Sequence, residues 1–318
     1  MKAIWRGLTL TAAVLLAMVP AGAEAPRVVA TIKPIHALVA NVMDGVAVPE
    51  LLVKGQASPH TYALKPSESR SLYAADAIFR VSDTIEPFTT KIKAALPATT
   101  AMISLATAPD ITRLPRRTGS TFEDHDHDHD HGSHHKEATD ADQLAASDGH
   151  VWLDPENARA MVRYIETVLS KRFPPHAARF RHNREALDAR LQALDQELAA
   201  LTAPLKGKPF AVYHDAFQYF EHRYGLKAVG SIFISQDVAP GARRLTELRR
   251  QIAKLNAVCI FSEPQSDPRM LQAIAEGSRA RTGVLDAEGL ALEPGPDLYF
   301  ELMRGLAKGL RACLTPGA

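Results

Sequence analysis

Short apolar runs alternate with amphipathic stretches from position 28 onward. Val28 to Ile32, Glu50 to Val53, Ala77 to Val81 and Ala101 to Leu105 have the length and side-chain content of strands, and Ile35 to Met43 has helical spacing. Such alternation predicts a parallel sheet with crossover helices. The pattern breaks between about Thr107 and Asp148, first with Pro, Arg and Thr, then with an Asp-His alternation, then with a polar Ala/Asp stretch. No core can be built from that composition, so a flexible loop is expected over about 115–148. Order returns at His150, where Asp154-Pro155-Glu156 offers an N-cap, a first-turn proline and an early acid ahead of a helix from Ala158 to Ser170.

The next stretch, from about His176 to Leu201, carries Phe180, Leu187, Leu191, Leu194, Leu198 and Leu201 at helical spacing, with no internal Gly or Pro. At about 1.5 Å per residue this helix is roughly 40 Å long, enough to run beside two lobes. Afterwards the alternation resumes. Strands are expected at Phe210 to Tyr213, Ala228 to Ile234, Val258 to Phe261 and Gly283 to Leu285, and helices at Ala216 to Tyr224, Ala242 to Leu255, Pro268 to Arg279 and Pro296 to Leu310. The reading is α/β: an N-terminal lobe over 24–172, a rigid linking helix over 173–203 and a C-terminal lobe over 204–318, both lobes with parallel sheets and a cleft between them.

The N-terminus adds a compartment. Lys2 and Arg6 precede an apolar run from Leu8 to Val19, then Pro20 and the small residues Ala21-Gly22-Ala23, which together have the form of a secretory signal peptide over 1–23, cleaved near Ala23. The run is too short to span a bilayer, and no later one approaches the ~20 residues needed, so the mature protein is expected not to be membrane-embedded. Cleavage leaves 35 basic against 36 acidic side chains. That balance, with aromatics at 6%, offers neither a basic field nor a stacking surface for nucleic acid. In an exported chain the two cysteines, Cys259 and Cys313, read as a disulfide, closing a loop of about 55 residues for something near 4 kcal/mol in the entropic account. A metal site on the two thiolates is the rival, without a CxxC neighbour to support it.

Histidine is the unusual residue, 13 in all, with His125, His127, His129, His131, His134 and His135 inside eleven positions. Those six form a weak, competing set of metal sites on a floppy segment. Ligands in open parallel sheets sit outside the carboxyl ends of strands. His60 follows the Glu50 to Val53 strand, His150 emerges from the insert after Ala101 to Leu105, His214 follows Phe210 to Tyr213, and Asp286 follows Gly283 to Leu285. Three imidazoles and a carboxylate, from both halves of the chain, thus occupy the positions this architecture reserves for ligands, a candidate metal site. His36 is expected at a core or rim position, Glu86 at a helix start favouring the dipole, and Glu263 as a partner orienting an imidazole.

These residues carry a resemblance. Gly55-Gln56-Ala57-Ser58-Pro59-His60-Thr61-Tyr62-Ala63-Leu64-Lys65-Pro66-Ser67, His150-Val151-Trp152-Leu153-Asp154-Pro155, Tyr213-His214-Asp215-Ala216-Phe217 and Phe261-Ser262-Glu263-Pro264-Gln265 resemble, in order and across the mature chain, the marks of the metal receptors of bacterial ABC importers, in their zinc-uptake (ZnuA-type) branch. The resemblance implies a monomeric periplasmic solute-binding protein of two α/β lobes bridged by one helix, which holds Zn2+ in the cleft and hands it to a membrane ABC permease. It matches His60, His150 and His214 to three imidazole ligands, and leaves Asp286 or a water for the fourth place. Members that take manganese have a carboxylate where His214 stands, and imidazole suits zinc. Two rivals stand beside this reading. A storage or chaperone protein would act through the His-rich insert alone, and a zinc hydrolase would also use three histidines and a water, although no HExxH motif occurs.

Overall fold

The computed structural model describes residues 25–117, 122, 139–232, 242–254 and 256–315. The expected signal peptide and the six insert histidines lie outside these residues. The N-terminal lobe is built from β1 (Val28–Ala30), α1 (Lys33–Val42), β2 (Glu50–Leu51), α2 (Pro66–Ala74), β3 (Ala77–Arg80), α3 (Phe88–Lys93) and β4 (Ala101–Ser104). After an insert holding α4 (Asp140–Ala146) come α5 (Pro155–Arg172) and the long α6 (Ala177–Thr202). The C-terminal lobe follows as β5 (Phe210–Val212), α7 (Gln218–Tyr224), β6 (Ala228–Ser231), α8 (Ala242–Lys254), β7 (Cys259–Ser262), α9 (Pro268–Ala275), β8 (Arg281–Val284) and α10 (Leu298–Leu314).

The sheets have the same permutation, β2-β1-β3-β4 and β6-β5-β7-β8, with every pairing parallel. Each needs helical crossovers on both faces, so β1, β3, β5 and β7 are buried along their whole length, which is why they read as continuous apolar runs. The edge strand β8 is different. Arg281, Thr282 and Val284 are exposed, so the strand starts two residues earlier than its apolar content suggests. Beyond β2 the chain stays extended, Leu52 and Val53 donating their N–H groups to Ala30 and Thr31 carbonyls.

The linking helix buries Phe180, Leu187, Leu191, Leu194 and Leu198 of the stripe that the spacing predicts, together with the polar Asn183 and Thr202, and packs against α5, α1 and α10, while Leu201 is only half-buried. One continuous apolar core runs from Val28 through α1, α5 and α6 to Leu314, so the lobes share their interior instead of facing each other across water. Polar ties reinforce it. The buried Lys33 ammonium at the start of α1 donates to three carbonyls of the opposite lobe, Gly289 at 3.1 Å, Leu290 at 3.0 Å and Leu292 at 2.8 Å. Trp152 Nε1 donates to Ala287 O at 2.8 Å, and Tyr299 Oη donates back to Trp152 O at 2.7 Å.

Three short helices escape the apolar pattern. α2 begins at Pro66 with Glu68 accepting from the Lys65 N–H, α3 has six residues, and α4 is capped by Thr139 within the insert. The insert is accordingly less loose than its composition suggests: residues 111–117 and 139–148 are ordered and paired, Pro115 bridging Ser147 and Arg116 N–H donating to Ala146 O.

Cys259 and Cys313 are bridged, tying the first residue of β7 to the last turn of α10. The bridge lies at the amino end of β7, and at about 3.3 Å per residue the opposite end of that strand is roughly 10 Å away. Reduction, or Cys259→Ala with Cys313→Ala, is expected to lower stability by about 2–4 kcal/mol and to leave metal affinity unchanged; thermal melts with and without reductant, alongside a Zn2+ titration, check both halves.

Candidate metal centre

The carboxyl ends of both sheets point at one another, and the loops that leave them meet. His60 leaves the loop after β2, His150 leads from the insert into a single 3-10 turn (Val151–Leu153), and His214 follows β5 beside Glu263, which follows the neighbouring strand β7. The last two therefore flank the position where the C-terminal sheet changes direction, the place where this architecture opens a crevice.

The three imidazoles form one group, their ligand atoms all within 4.8 Å of one another. Ring centroids are 5.5 Å apart for His60 and His150, 6.1 Å for His60 and His214, and 5.3 Å for His150 and His214. His150 Nε2 and His214 Nε2 stand 3.5 Å apart. Two nitrogens each about 2.1 Å from a tetrahedral zinc would stand about 3.4 Å apart, so this pair already has the edge length of such a site. The His60 ligand atom lies within 4.8 Å of both, on the side where a third imidazole would complete a face of the tetrahedron.

What aims two of the rings is the other nitrogen of each. His150 Nδ1 meets Asp148 Oδ1 at 2.7 Å, and the same oxygen accepts the His150 backbone N–H at 3.0 Å. His214 Nδ1 is bound by Glu263 Oε1, and Gln265 Nε2 donates to the second Glu263 oxygen at 2.6 Å. His60 packs near the Thr84 backbone and leaves its Nε2 buried without a hydrogen-bond partner. A proton fixed on Nδ1 leaves Nε2 as the ligating nitrogen, the arrangement by which protein metal sites set the tautomer of histidine. Gly149 is needed beside His150: a Cβ there would sit 2.7 Å from Thr84 Oγ1 and 2.7 Å from Ile85 Cγ1, in the loop after β3.

Burial first, then the neighbouring His150 and His214, lower the His60 pKa from 6.5 to about 3, so this ring stays neutral at any physiological pH. For His214 burial pulls the same way, but the charge and hydrogen bond of Glu263 outweigh it and raise the pKa above 6.5. A metal must displace that proton.

The structure does not bring Asp286 into the group. Its carboxylate closes the turn after β8, Oδ1 accepting from Glu288 N at 3.1 Å and Oδ2 from Ala291 N at 3.0 Å, so a residue in the right place along the chain is committed to backbone. Glu86 is likewise fully enclosed and holds Thr31 Oγ1 and the N–H groups of Val81 and Ser82. His36 is buried in the core with Nε2 on Pro49 O. Two functional residues had little sequence signal. Asp148 lies in a polar run that reads as loop, although its Asp-x-His spacing is the clue, and Lys33 acts only through a turn more than 250 positions away.

Because the proton on His214 competes with the metal, Zn2+ affinity is expected to fall as pH is lowered, starting above the ordinary imidazole value of 6.5. Glu263→Gln removes the group that holds the proton, so the fall should move to lower pH. Calorimetric titrations between pH 8 and 5.5 check this; an affinity that is flat over that range, or a fall that Glu263→Gln leaves in place, contradicts it.

Comparison with known proteins agrees with this geometry. The model of the family described as zinc-uptake complex component A, periplasmic (ZnuA), matches residues 28–313. The high-affinity zinc uptake system protein ZnuA of Brucella suis is 42% identical over 309 residues, covering 92% of each chain. Its namesake from Yersinia pestis is 31% identical over 321 residues, covering 98% of each. Among solved structures, a crystal structure of ZnuA aligns with a TM-score of 0.73 at 24% identity, covering 92% of this chain and all of that one. Zn(II)-bound AdcA from Streptococcus pneumoniae aligns at 0.70 and 25%, covering 91% of this chain and 57% of that one. With the match running through both sheets and all three histidines, the chain belongs to the ZnuA family of periplasmic zinc-uptake components.

Proposed function

We propose that this protein is the periplasmic receptor of a zinc importer: it captures Zn2+ in the cleft between its lobes and delivers it to a membrane ABC permease. The observation that carries the reading is the His60, His150 and His214 group, with Nδ1 of His150 and of His214 each held by a carboxylate, their Nε2 atoms 3.5 Å apart, and the His60 Nε2 buried without a partner. His60, His150 and His214 are the protein ligands in this reading, and a water takes the fourth place, since Asp286 is spent on its own loop. Such an open position also serves catalytic zinc, but Glu263 is bound to His214 and Asp148 to His150, so neither carboxylate stands over the vacant side as a general base. The family assignment points the same way, toward transport and away from hydrolysis.

The chain is exported with cleavage near Ala23 and acts as a soluble monomer; among the described residues no helix is long and apolar enough to cross a membrane. The insert histidines His125, His127, His129, His131, His134 and His135 add a weaker, secondary capacity. A preformed cleft needs little ordering on binding, whereas a polar Asp-His run, whose composition supplies no core to hold it, still has that cost to meet, so the cleft binds more tightly. Storage by the insert alone would need no such cleft.

Two outcomes follow for titration of the metal-free protein with Zn2+. The wild-type protein should show one tight site and several weak ones, and removal of residues 123–138 should abolish only the weak ones. His60→Ala, His150→Ala and His214→Ala should each weaken the tight site by more than about 100-fold, beyond the range usual for groups that merely support a ligand. Asp286→Ala should change affinity little and instead destabilise the turn after β8 by about 1–3 kcal/mol, since two N–H groups lose their acceptor. Retention of tight binding by all three histidine variants would falsify the cleft site.

A further inference from the structure

The insert between β4 and His150 leaves the N-terminal lobe, crosses to the other lobe and returns, and both of its legs are fastened there. On the outward leg Leu114 N–H donates to Tyr219 Oη at 3.0 Å, Pro115 O accepts from Gln218 Nε2 at 3.1 Å, and Phe122 N–H donates to Val229 O of β6 at 3.1 Å. On the return leg Asp148 O accepts from the same Tyr219 hydroxyl at 2.8 Å, and Asp148 N–H donates across to Leu114 O at 2.9 Å. Between them stands Arg117. Its guanidinium donates through Nε and Nη2 to both oxygens of Asp215 at 3.1 and 2.6 Å, and through Nη1 and Nη2 to both oxygens of Glu221 at 3.0 and 2.9 Å, with the Phe122 ring 4.0 Å from its centre. Glu221 is buried on α7 and also accepts the Ala228 N–H at the start of β6.

The two ends of this clasp touch the metal group. Asp215 is the residue after His214, and Asp148, on the return leg, is the carboxylate that aims His150. We infer that the stem of the insert is a further tie between the lobes, beside α6 and the Lys33 and Trp152 contacts, and that Arg117 is a positioning residue for the metal site, holding the loop after β5 so that His214 Nε2 stays in register with His150 Nε2. The inference rests on the three histidines being the zinc ligands. Arginine suits the geometry, because one planar fork meets all four oxygens of two carboxylates at once, whereas the three N–H groups of a lysine ammonium cannot pair with both carboxylates in this two-pronged way. The stem therefore acts on the cleft whether or not the histidines at its tip hold metal.

The test uses full-length protein in four forms: wild type, Arg117→Lys, Arg117→Gln and Arg304→Gln. Arg304 grips Glu197 of α6 with the same two-pronged geometry but touches no residue of the metal group, so it reports loss of an ion pair alone. Each is titrated with Zn2+, its melting temperature is recorded, and the visible spectrum with one equivalent of Co2+ reads the geometry of the bound ion. Arg117→Gln is expected to weaken Zn2+ binding by about tenfold or more, the scale on which groups that hold ligands in place act, and to alter the Co2+ spectrum. Arg117→Lys, which keeps the charge and the folded state, should fall between it and wild type, and Arg304→Gln should lower the melting temperature with neither change. Wild-type affinity and an unaltered Co2+ spectrum in both Arg117 variants overturn the inference while leaving the zinc reading intact. Absence of a tight site in the wild-type protein overturns the zinc reading and this inference with it.

Discussion

Three imidazoles can share one small volume as metal ligands only if each is told which nitrogen carries its proton. Here that instruction comes from two carboxylates, one on the insert for His150 and one after β7 for His214, while burial keeps His60 neutral with its Nε2 free of other partners. With those two Nδ1 atoms held, the Nε2 atoms of the same rings face each other, and their 3.5 Å separation matches the edge of a zinc tetrahedron. The surroundings of the rings differ, and the difference has consequences. The Glu263 carboxylate raises the basicity of His214 and strengthens its bond to a cation, whereas burial leaves His60 a ring that resists protonation and meets the metal as a neutral ligand.

That arrangement depends on the lobes being held at fixed spacing, because His60 and His150 come from one side and His214 and Glu263 from the other. α6, buried along one stripe, supplies most of the rigidity, and its lack of Gly or Pro gives it no hinge. A single apolar core passes through both lobes, and Lys33 and Trp152 reach across to the turn after β8. A wide clamshell motion would have to break this core, so metal entry and release are better served by movement of the ligand loops, with that of His60 the least encumbered.

Much of this was legible in the sequence because it follows from burial. The central strands read as apolar runs since helices cover both faces of a parallel sheet, and α6 declared itself by its heptad-like leucines. Strand ends then gave the histidines. What stayed hidden depended on contacts far apart in the chain or on backbone groups with no residue signature. The three carbonyls around Lys33 have no side-chain identity to read, and Asp286 shows the converse, a well-placed carboxylate consumed by two amides of its own turn. The legs of the insert were obscured because their order comes from Arg117, Tyr219 and Glu221, contacts across about a hundred positions, while their composition is that of a loop.

The central claim is that three Nε2 atoms, and no carboxylate, hold the ion. X-ray absorption at the zinc edge of protein loaded with one equivalent of Zn2+, joined to a crystal structure of the same state, measures this directly. The account predicts three imidazole nitrogens at about 2.0–2.1 Å, one light oxygen from water, Asp148 and Glu263 still on the Nδ1 atoms, and Asp286 still capping its turn. A zinc bound through Nδ1 of any of the three, or one that draws the Asp286 carboxylate into its shell in place of a histidine, would contradict it.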